Sequence, residues 1–331
     1  MMNESEMDSD WFHNAKWGVF CHYGPQNGID GWNEQIEAFD VAGLAEELAS
    51  TGAGYFFITI THGHGLFCAP NETYDRILDV GKVQSRCSKR DLISDIADAL
   101  EPHGIRMMVY LPAGAPFGDH YAIKKMRWLC GFNLGWGVEG NAPRPGRRPV
   151  EFMRHWEAVI ADYSKRWGKK VHGWWMDGAW WPEEIYRHDD EPNFKSLAAA
   201  IKAGNPESLC AFNGGLETPI QVQSEYEDYT AGEIGHNLPL GLRMANGALR
   251  PLSRFMDGTQ YHLLTHLGSH WGNKPARFPT ELVVGYTKYV TSHHGVITWD
   301  AGIEPSGHLQ KGHLEQLRAL GAAMEQQEPR T

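Results

Sequence analysis

The sequence predicts a single (β/α)8 barrel, and three observations predict it. Eight strand-like runs occur along the chain, most of them separated by amphipathic helical stretches. The 331 residues suit one such barrel. Most of the strand-like runs end in a polar residue, which is how a barrel places its working groups at one mouth. An open doubly wound sheet is the alternative. That fold announces itself with a glycine-rich phosphate turn after the first strand, where this chain has His22-Tyr23-Gly24-Pro25.

The first strand is Trp17 to His22, closed by Gly24-Pro25. Asp40 to Ser50 reads as a helix with Asp40 as N-cap, an apolar face of Val41, Leu44, Ala45, Leu48 and Ala49, and a stop at Gly52. Tyr55 to Thr61 is β-branched and aromatic, a buried strand. Asp91 to His103 repeats the helical pattern and stops at Gly104, and Ile105 to Leu111 is the third strand. Gly135 to Pro149 reads as a long loop, not a domain boundary, because the same pattern resumes after it. A helix over Val150 to Trp167, a strand over His172 to Asp177 and a helix over Asn193 to Ala203 follow. Strands five to seven are expected at Leu209 to Asn213, Tyr229 to Glu233 and Tyr261 to His266. A helix over Pro279 to His294, with Pro279 in its first turn, leads to the eighth strand, Gly295 to Asp300. Leu309 to Met324 is the closing helix.

Composition narrows the function. The chain is 42% hydrophobic and 21% charged, a globular balance that excludes disorder as the main state. Thirty Lys and Arg against 41 Asp and Glu give a net charge of −11, which argues against a nucleic-acid or anionic-membrane partner. Cys21, Cys68, Cys87, Cys130 and Cys210 show no C-x-x-C spacing and read as reduced thiols. The acidic stretch Met1 to Asp10 is expected to be flexible and carries no leader pattern, so the expectation is a cytoplasmic protein. Thirteen tryptophans are many. Most are expected in the core, but some suit a sugar pocket, because indole faces stack on sugar C–H faces.

The polar strand ends are His22, the pair His62 and His64, Asp177, Asn213, Glu233, His266 with His270 and Trp271, and Asp300. Two chemistries compete for them. His62-Gly63-His64 with Asp300 could hold a divalent ion for hydrolysis, although hydrolase barrels that use His-x-His carry it on the first strand. Two carboxylates with histidines and tryptophans around them suit glycoside hydrolysis. Asp177 lies among Trp174, Trp175, Trp180 and Trp181, where a carboxylate must be hydrogen-bonded or catalytic. The structural alternative is an Asp capping the next helix.

The motifs resemble those of the glycoside hydrolase family 29 α-L-fucosidases. The family opening Trp-Phe-x-x-Ala-Lys-Phe-Gly-x-Phe-x-His-Trp-Gly is matched by Trp11 to Gly24, with Trp17 for the second Phe and Tyr23 for the second Trp. Lys-His-His-Asp-Gly-Phe corresponds to Thr61-His62-Gly63-His64-Gly65-Leu66, Lys-Arg-Asp-Leu to Lys89 to Leu92, Trp-Phe-Asp-Gly to Trp175 to Gly178, and Trp-Gly to Trp271-Gly272. The resemblance runs from Trp11 to about Leu309. It implies a barrel acting by retaining double displacement on a small oligosaccharide or glycoside, without a cofactor or metal. Asp177 corresponds to the nucleophile, and His22, Trp32, His62, His64 and Trp271 to the substrate-binding residues.

This chain departs from the family at several points. Gly63 replaces a histidine, His64 an aspartate, and Asn213-Gly214-Gly215 an Asn-Asp-Arg. Gly31-Trp32-Asn33 stands for Glu-Trp-Tyr, and the family's C-terminal β-sandwich has no counterpart in this sequence. The family's acid falls between the fifth strand and the Trp-Gly, where Glu217, Glu225, Glu227, Asp228 and Glu233 are available. Glu233 is the expected acid, because a sixth strand over Tyr229 to Glu233 would point its last side chain into the mouth. A carbohydrate-binding relative without turnover is the third class of function.

Overall fold

The structure is a computed structural model that describes residues 9–114, 116–128, 148–215, 220–243, 249–272 and 275–326. Seven parallel strands form one curled sheet: β1 Trp17–Cys21, β2 Tyr55–Thr59, β3 Arg106–Pro112, β4 Val171–Asp177, β5 Leu209–Phe212, β6 His262–His266 and β7 Val296–Asp300. Their order is β6-β7-β1-β2-β3-β4-β5, so the chain steps across the sheet in sequence from β1 to β5, while β7 pairs back onto β1 and β6 onto β7. Helices lie in the connections between successive strands, as suits parallel pairing, except between β5 and β6, where the described residues form no helix.

Strand periodicity sorts the side chains into two cores. Residues facing the helices, such as Val19, Phe56, Ile58, Val109, Trp174, Phe212, Ile297 and Trp299, join the large outer core. The alternate residues face the inside of the curl. There Phe20, Tyr55, Phe57, Met108, Tyr110, Trp175, Leu209, Ala211, Leu264 and Val296 form a second, mostly aromatic core. The short helix Asp10–Ala15 inserts Phe12 among them, against Tyr55, Tyr229 and His262. Phe12 is fully buried, and truncating such a side chain costs about 3–5 kcal/mol.

The expected helices form, Asp40 caps its helix as expected, and the first residues of two further helices also prove to be caps. Asp40 accepts from Gly43 N ahead of Val41–Ala49, Asp91 accepts from Ser94 N ahead of Leu92–Leu100, and Asn193 makes a capping box with Ser196 ahead of Phe194–Ile201. Val150–Trp167, Thr280–Ser292 and Lys311–Glu325 complete the expected set. Residues 135–147 of the expected long loop lie outside the described residues. The four described cysteines, Cys21, Cys68, Cys87 and Cys210, are buried free thiols. Among the described residues no helix is long and apolar enough to cross a membrane.

The expected sixth strand, Tyr229 to Glu233, does not form a strand of the sheet. It pairs with the β6 side in isolated parallel bridges, Tyr229 to Gln260 and Glu233 to Leu264, and not in a continuous ladder. Two local features interrupt the ladder. His262 N donates to the Thr230 side-chain hydroxyl, so a side chain stands where a ladder carbonyl would. Gly232 has φ +65°, and any side chain there would collide with the His262 carbonyl. The segment nonetheless lies inside the curl, because Tyr229 and Ala231 belong to the inner core.

Candidate active site

The alternation that builds the inner core also builds the mouth. Two residues beyond Phe20 stands His22, and two beyond Met108 stands Tyr110. The same step leads from Trp175 to Asp177, from Ala211 to Asn213, from Ala231 to Glu233 and from Leu264 to His266. Each polar group is the next inward-facing position on its segment, above an aromatic or aliphatic floor.

Asp177 ends β4 and is held on both oxygens. Tyr110 Oη donates to Oδ2 at 2.5 Å, and Asn213 Nδ2 donates to Oδ1 at 2.9 Å. The same amide nitrogen donates to Glu233 Oε2 at 2.7 Å. One donor thus ties the two carboxyl groups together, so those two oxygens are no more than about 5.6 Å apart. Burial pushes the Glu233 carboxyl up to about 7, and the negative charge of Asp177 adds to the rise. The Asn213 hydrogen bond and the nearby His22 oppose it. Tyr110 is also buried beside Asp177, and both effects raise its pKa, so its hydroxyl stays a donor.

His22 faces this pair from β1. Its Nδ1 donates to Asp300 Oδ1 at 2.9 Å, and Asp300 Oδ2 accepts Gly272 N at 2.5 Å. Asp300 therefore holds both the His22 ring and the turn that carries Trp271, and the two rings lie 5.8 Å apart. Burial works against a charged His22, but the charge and hydrogen bond of Asp300, with Asp177 and Glu233 beyond, outweigh it and the pKa is raised. His62 stacks on Tyr110 at 5.5 Å and 14° and meets His22 edge-on at 5.7 Å. Burial and the charge of His22 push its pKa down to about 4, so it is neutral at pH 7. His266 packs on Trp271 at 4.7 Å and uses Nδ1 on the Gly268 carbonyl at 2.8 Å.

The structure thus brings together His22, His62, Asp177, Glu233 and Trp271. Trp32 and His64 go elsewhere. Trp32 is 2% exposed and its indole N–H donates to the Phe67 carbonyl at 2.9 Å, which makes it part of the outer core. His64 leans on Trp32, and its Nδ1 accepts Leu66 N at 3.0 Å. His62 and His64 therefore face different neighbours, and Asp300 already serves His22 and Gly272. Among the described residues no three His, Cys, Asp or Glu side chains gather in a way that could hold a metal ion. Sequence reasoning missed Tyr110 altogether. Counting inward positions from Met108 would have found it. It noted Asn213 as a strand end and motif position and Asp300 as a strand end and possible metal ligand, not as the residues that hold Asp177 and His22.

The other carboxylates available for an acid are spread differently. Glu227 is buried under β5, accepting backbone N–H groups of Phe212, Gln223 and Ser224. Asp228 pairs with Lys202 and accepts Cys210 N. Glu225 is exposed, and Glu217 lies outside the described residues.

The sequence profile of the family described as Alpha-L-fucosidase matches residues 26–328. The chain belongs to the alpha-L-fucosidase family. No curated protein matches it. Among solved structures, the endo-fucoidan hydrolase MfFcnA4 from glycoside hydrolase family 107 is similar, with a TM-score of 0.71 at 16% identity over 96% of this chain. The chain spans 54% of that protein's length. Alpha-L-fucosidase isoenzyme 1 from Paenibacillus thiaminolyticus has a TM-score of 0.62 at 18% identity, over 98% of this chain and 76% of its own. Alpha-L-fucosidase AlfC from Lactobacillus casei, in complex with alpha-L-fucose product, has a TM-score of 0.58 at 12% identity, over 96% and 98%. At these identities the likeness is one of fold, and it agrees with the curled parallel sheet of this member of the family.

Proposed function

We propose that this chain is a retaining exo-glycosidase, an α-L-fucosidase, with Asp177 as nucleophile and Glu233 as acid/base. One observation carries the reading: the Asn213 amide holds both carboxyl groups from one nitrogen. Retaining enzymes keep their carboxyl groups about 5–5.5 Å apart, close enough for direct attack on the sugar, whereas inverting enzymes leave room for a water.

The roles follow from the charges. Asp177, with two hydrogen bonds to its oxygens, attacks the anomeric carbon as a carboxylate. Glu233 keeps its proton toward neutral pH because it is buried and because Asp177 is negative beside it, and it gives that proton to the leaving oxygen. Once Asp177 is esterified its charge is gone, the Glu233 carboxyl becomes more acidic, and it takes a proton from the incoming water. His22, His62 and Trp271 line the space above and would hold the sugar's hydroxyls and ring face. We read the sheet as a (β/α)8 barrel closed through the segment 229–233, and the chain as one catalytic domain. The bridges of that segment to the β6 side support this. The buried free thiols support a reducing, cytoplasmic setting.

The test is a panel of p-nitrophenyl glycosides led by the α-L-fucoside, with and without EDTA, with the anomer first released followed by NMR. Release of the inverted sugar, or loss of activity on chelation with recovery on zinc, would overturn the reading. The higher TM-score to an endo-fucoidan hydrolase favours a second reading, cleavage within a fucose polymer. Chain-shortening of a polymer without release of free fucose would select it.

A further inference from the structure

We propose that Phe117 is a specificity-determining residue of this pocket, presenting an aromatic wall to the sugar where residue 63 has no side chain. The inference rests on the glycosidase reading above and extends it to which face of the sugar is read.

The geometry begins at Gly63. A Cβ built there would fall inside the Phe117 ring, against Cζ and both Cε atoms. The ring therefore occupies the place that a side chain at position 63 would take. It meets the neighbouring His62 edge-on, with centroids 6.3 Å apart and planes at 79°. His62 in turn stacks on Tyr110, and Tyr110 donates to Asp177. Asp177, Tyr110, His62 and Phe117 form one continuous line of contacts from the reacting carboxylate outward. Phe117 is half-buried, so part of the side chain remains accessible to solvent.

The ring is delivered there by a fixed loop. Gly118 N donates to the Gly63 carbonyl at 2.6 Å, an approach that a side chain at Gly118 would block. Asp119 accepts Arg86 Nε at 2.7 Å and caps the next helix through Tyr121 N and Ala122 N, each at 3.0 Å. Gly65, at φ +76°, sits under Pro116 and Asp119. The glycines at 63, 65 and 118 let the two loops lie against each other and seat the ring.

A phenyl ring offers no hydrogen bond and a flat apolar face, so it selects a C–H face of a sugar, not a hydroxyl. This pocket reads a hydroxyl with His62 and a C–H face immediately beside it. The resemblance that assigns a hydroxyl-binding histidine to position 63 thus does not carry over at that position.

The experiment is a double-mutant cycle of Gly63→Ala and Phe117→Ala, read as KM and kcat on p-nitrophenyl α-L-fucoside and as the binding of L-fucose, L-galactose and D-galactose by tryptophan fluorescence. Phe117→Ala should raise KM and weaken sugar binding by about fivefold to tenfold, with kcat moving less. Gly63→Ala should do the same by displacing the ring, and the double variant should be no worse than Phe117→Ala alone. Additive losses, or a Phe117→Ala protein with KM and sugar binding within about twofold of wild type, overturn the proposal. Failure of the glycosidase reading looks different: the wild type binds a sugar but turns over no glycoside, and the binding cycle still decides on Phe117. A wild type that neither binds any of the sugars nor cleaves the glycoside overturns both.

Discussion

Glu227 and Glu233 are neighbours in sequence, both are buried, and burial raises the pKa of both, to about 8 and about 7. Their surroundings differ in kind. The Glu227 carboxyl is closed in by three backbone N–H groups, from Phe212 at 2.7 Å, Gln223 at 2.5 Å and Ser224 at 3.1 Å, and it is 4% exposed. It pins the loop after β5 onto the sheet. Glu233 has one side-chain donor, which it shares with Asp177, and it opens on the mouth. A raised carboxyl pKa therefore does not by itself mark an acid catalyst. What distinguishes Glu233 is a neighbour whose charge disappears during the proposed reaction.

The largest effect should come from removing that neighbour. Asp177→Asn and Asp177→Gly should each lower turnover by at least about 10³-fold while circular dichroism shows an unchanged fold. Azide should partly restore the Gly variant, because a small anion fits where the carboxylate was. Near-wild-type turnover in Asp177→Asn would remove the contrast between the two glutamates, since neither would then sit beside a nucleophile.

Glu233→Ala comes next. It should slow a poor leaving group by about 10²- to 10⁴-fold and a good one far less, because only the poor one needs the proton. The pH profile supplies the sign. A general acid acts in its protonated form, so kcat/KM should fall as pH rises through about 7, and Glu233→Gln should lose that limb. If Glu225→Ala shows the leaving-group signature and Glu233→Ala does not, the acid is assigned to the wrong carboxylate.

Much of this site was legible in the sequence because strand periodicity is legible. His22 and Asp177 follow apolar aromatic runs whose parity points inward, so their strand ends were readable one at a time. Tyr110 was hidden by the same rule, since a tyrosine inside an apolar strand looks like core until its hydroxyl is known to reach a carboxylate on the next strand. Trp32 shows the reverse error. Its motif position suggested a sugar contact, but its indole N–H reaches the Phe67 carbonyl, which lies 35 positions further along the chain. The sixth strand failed on details that hydropathy does not carry, a hydroxyl taking a ladder N–H and a glycine in the left-handed region.

Asp300→Asn should have a smaller effect. Asp300 touches no reacting atom and acts through His22 and the Gly272 turn, so it is a positioning residue. An asparagine keeps the shape but can accept only one of the two N–H groups and carries no charge. KM should rise about tenfold, and any limb of the pH profile that belongs to His22 should move to lower pH, because the carboxylate that raises its pKa is gone. A uniform loss of activity with an unmoved profile would indicate a structural role only.

Glu227→Gln should have the smallest effect on catalysis and a measurable one on stability. Glutamine has one acceptor oxygen where the glutamate offers two, and its amide would face backbone N–H groups already pointing inward. The mismatch should cost about 1–3 kcal/mol by chemical denaturation, while the ratio of rates on good and poor leaving groups stays at the wild-type value. The pH dependence gives a second, independent reading. The folded protein holds the Glu227 proton up to about pH 8, whereas an unfolded glutamate releases it near 4.5. The native state therefore binds more protons across that interval. The stabilisation this contributes is complete below about 4.5 and is lost as pH rises toward 8. Glu227→Gln cannot titrate there, so its stability should fall less steeply over the same interval than that of the wild type. Glu233 adds a similar slope to both proteins and cancels in the difference. A Glu227→Gln protein that instead shows the leaving-group signature would mean that the buried carboxyl under β5 reaches the substrate, and the contrast between the two glutamates would fail.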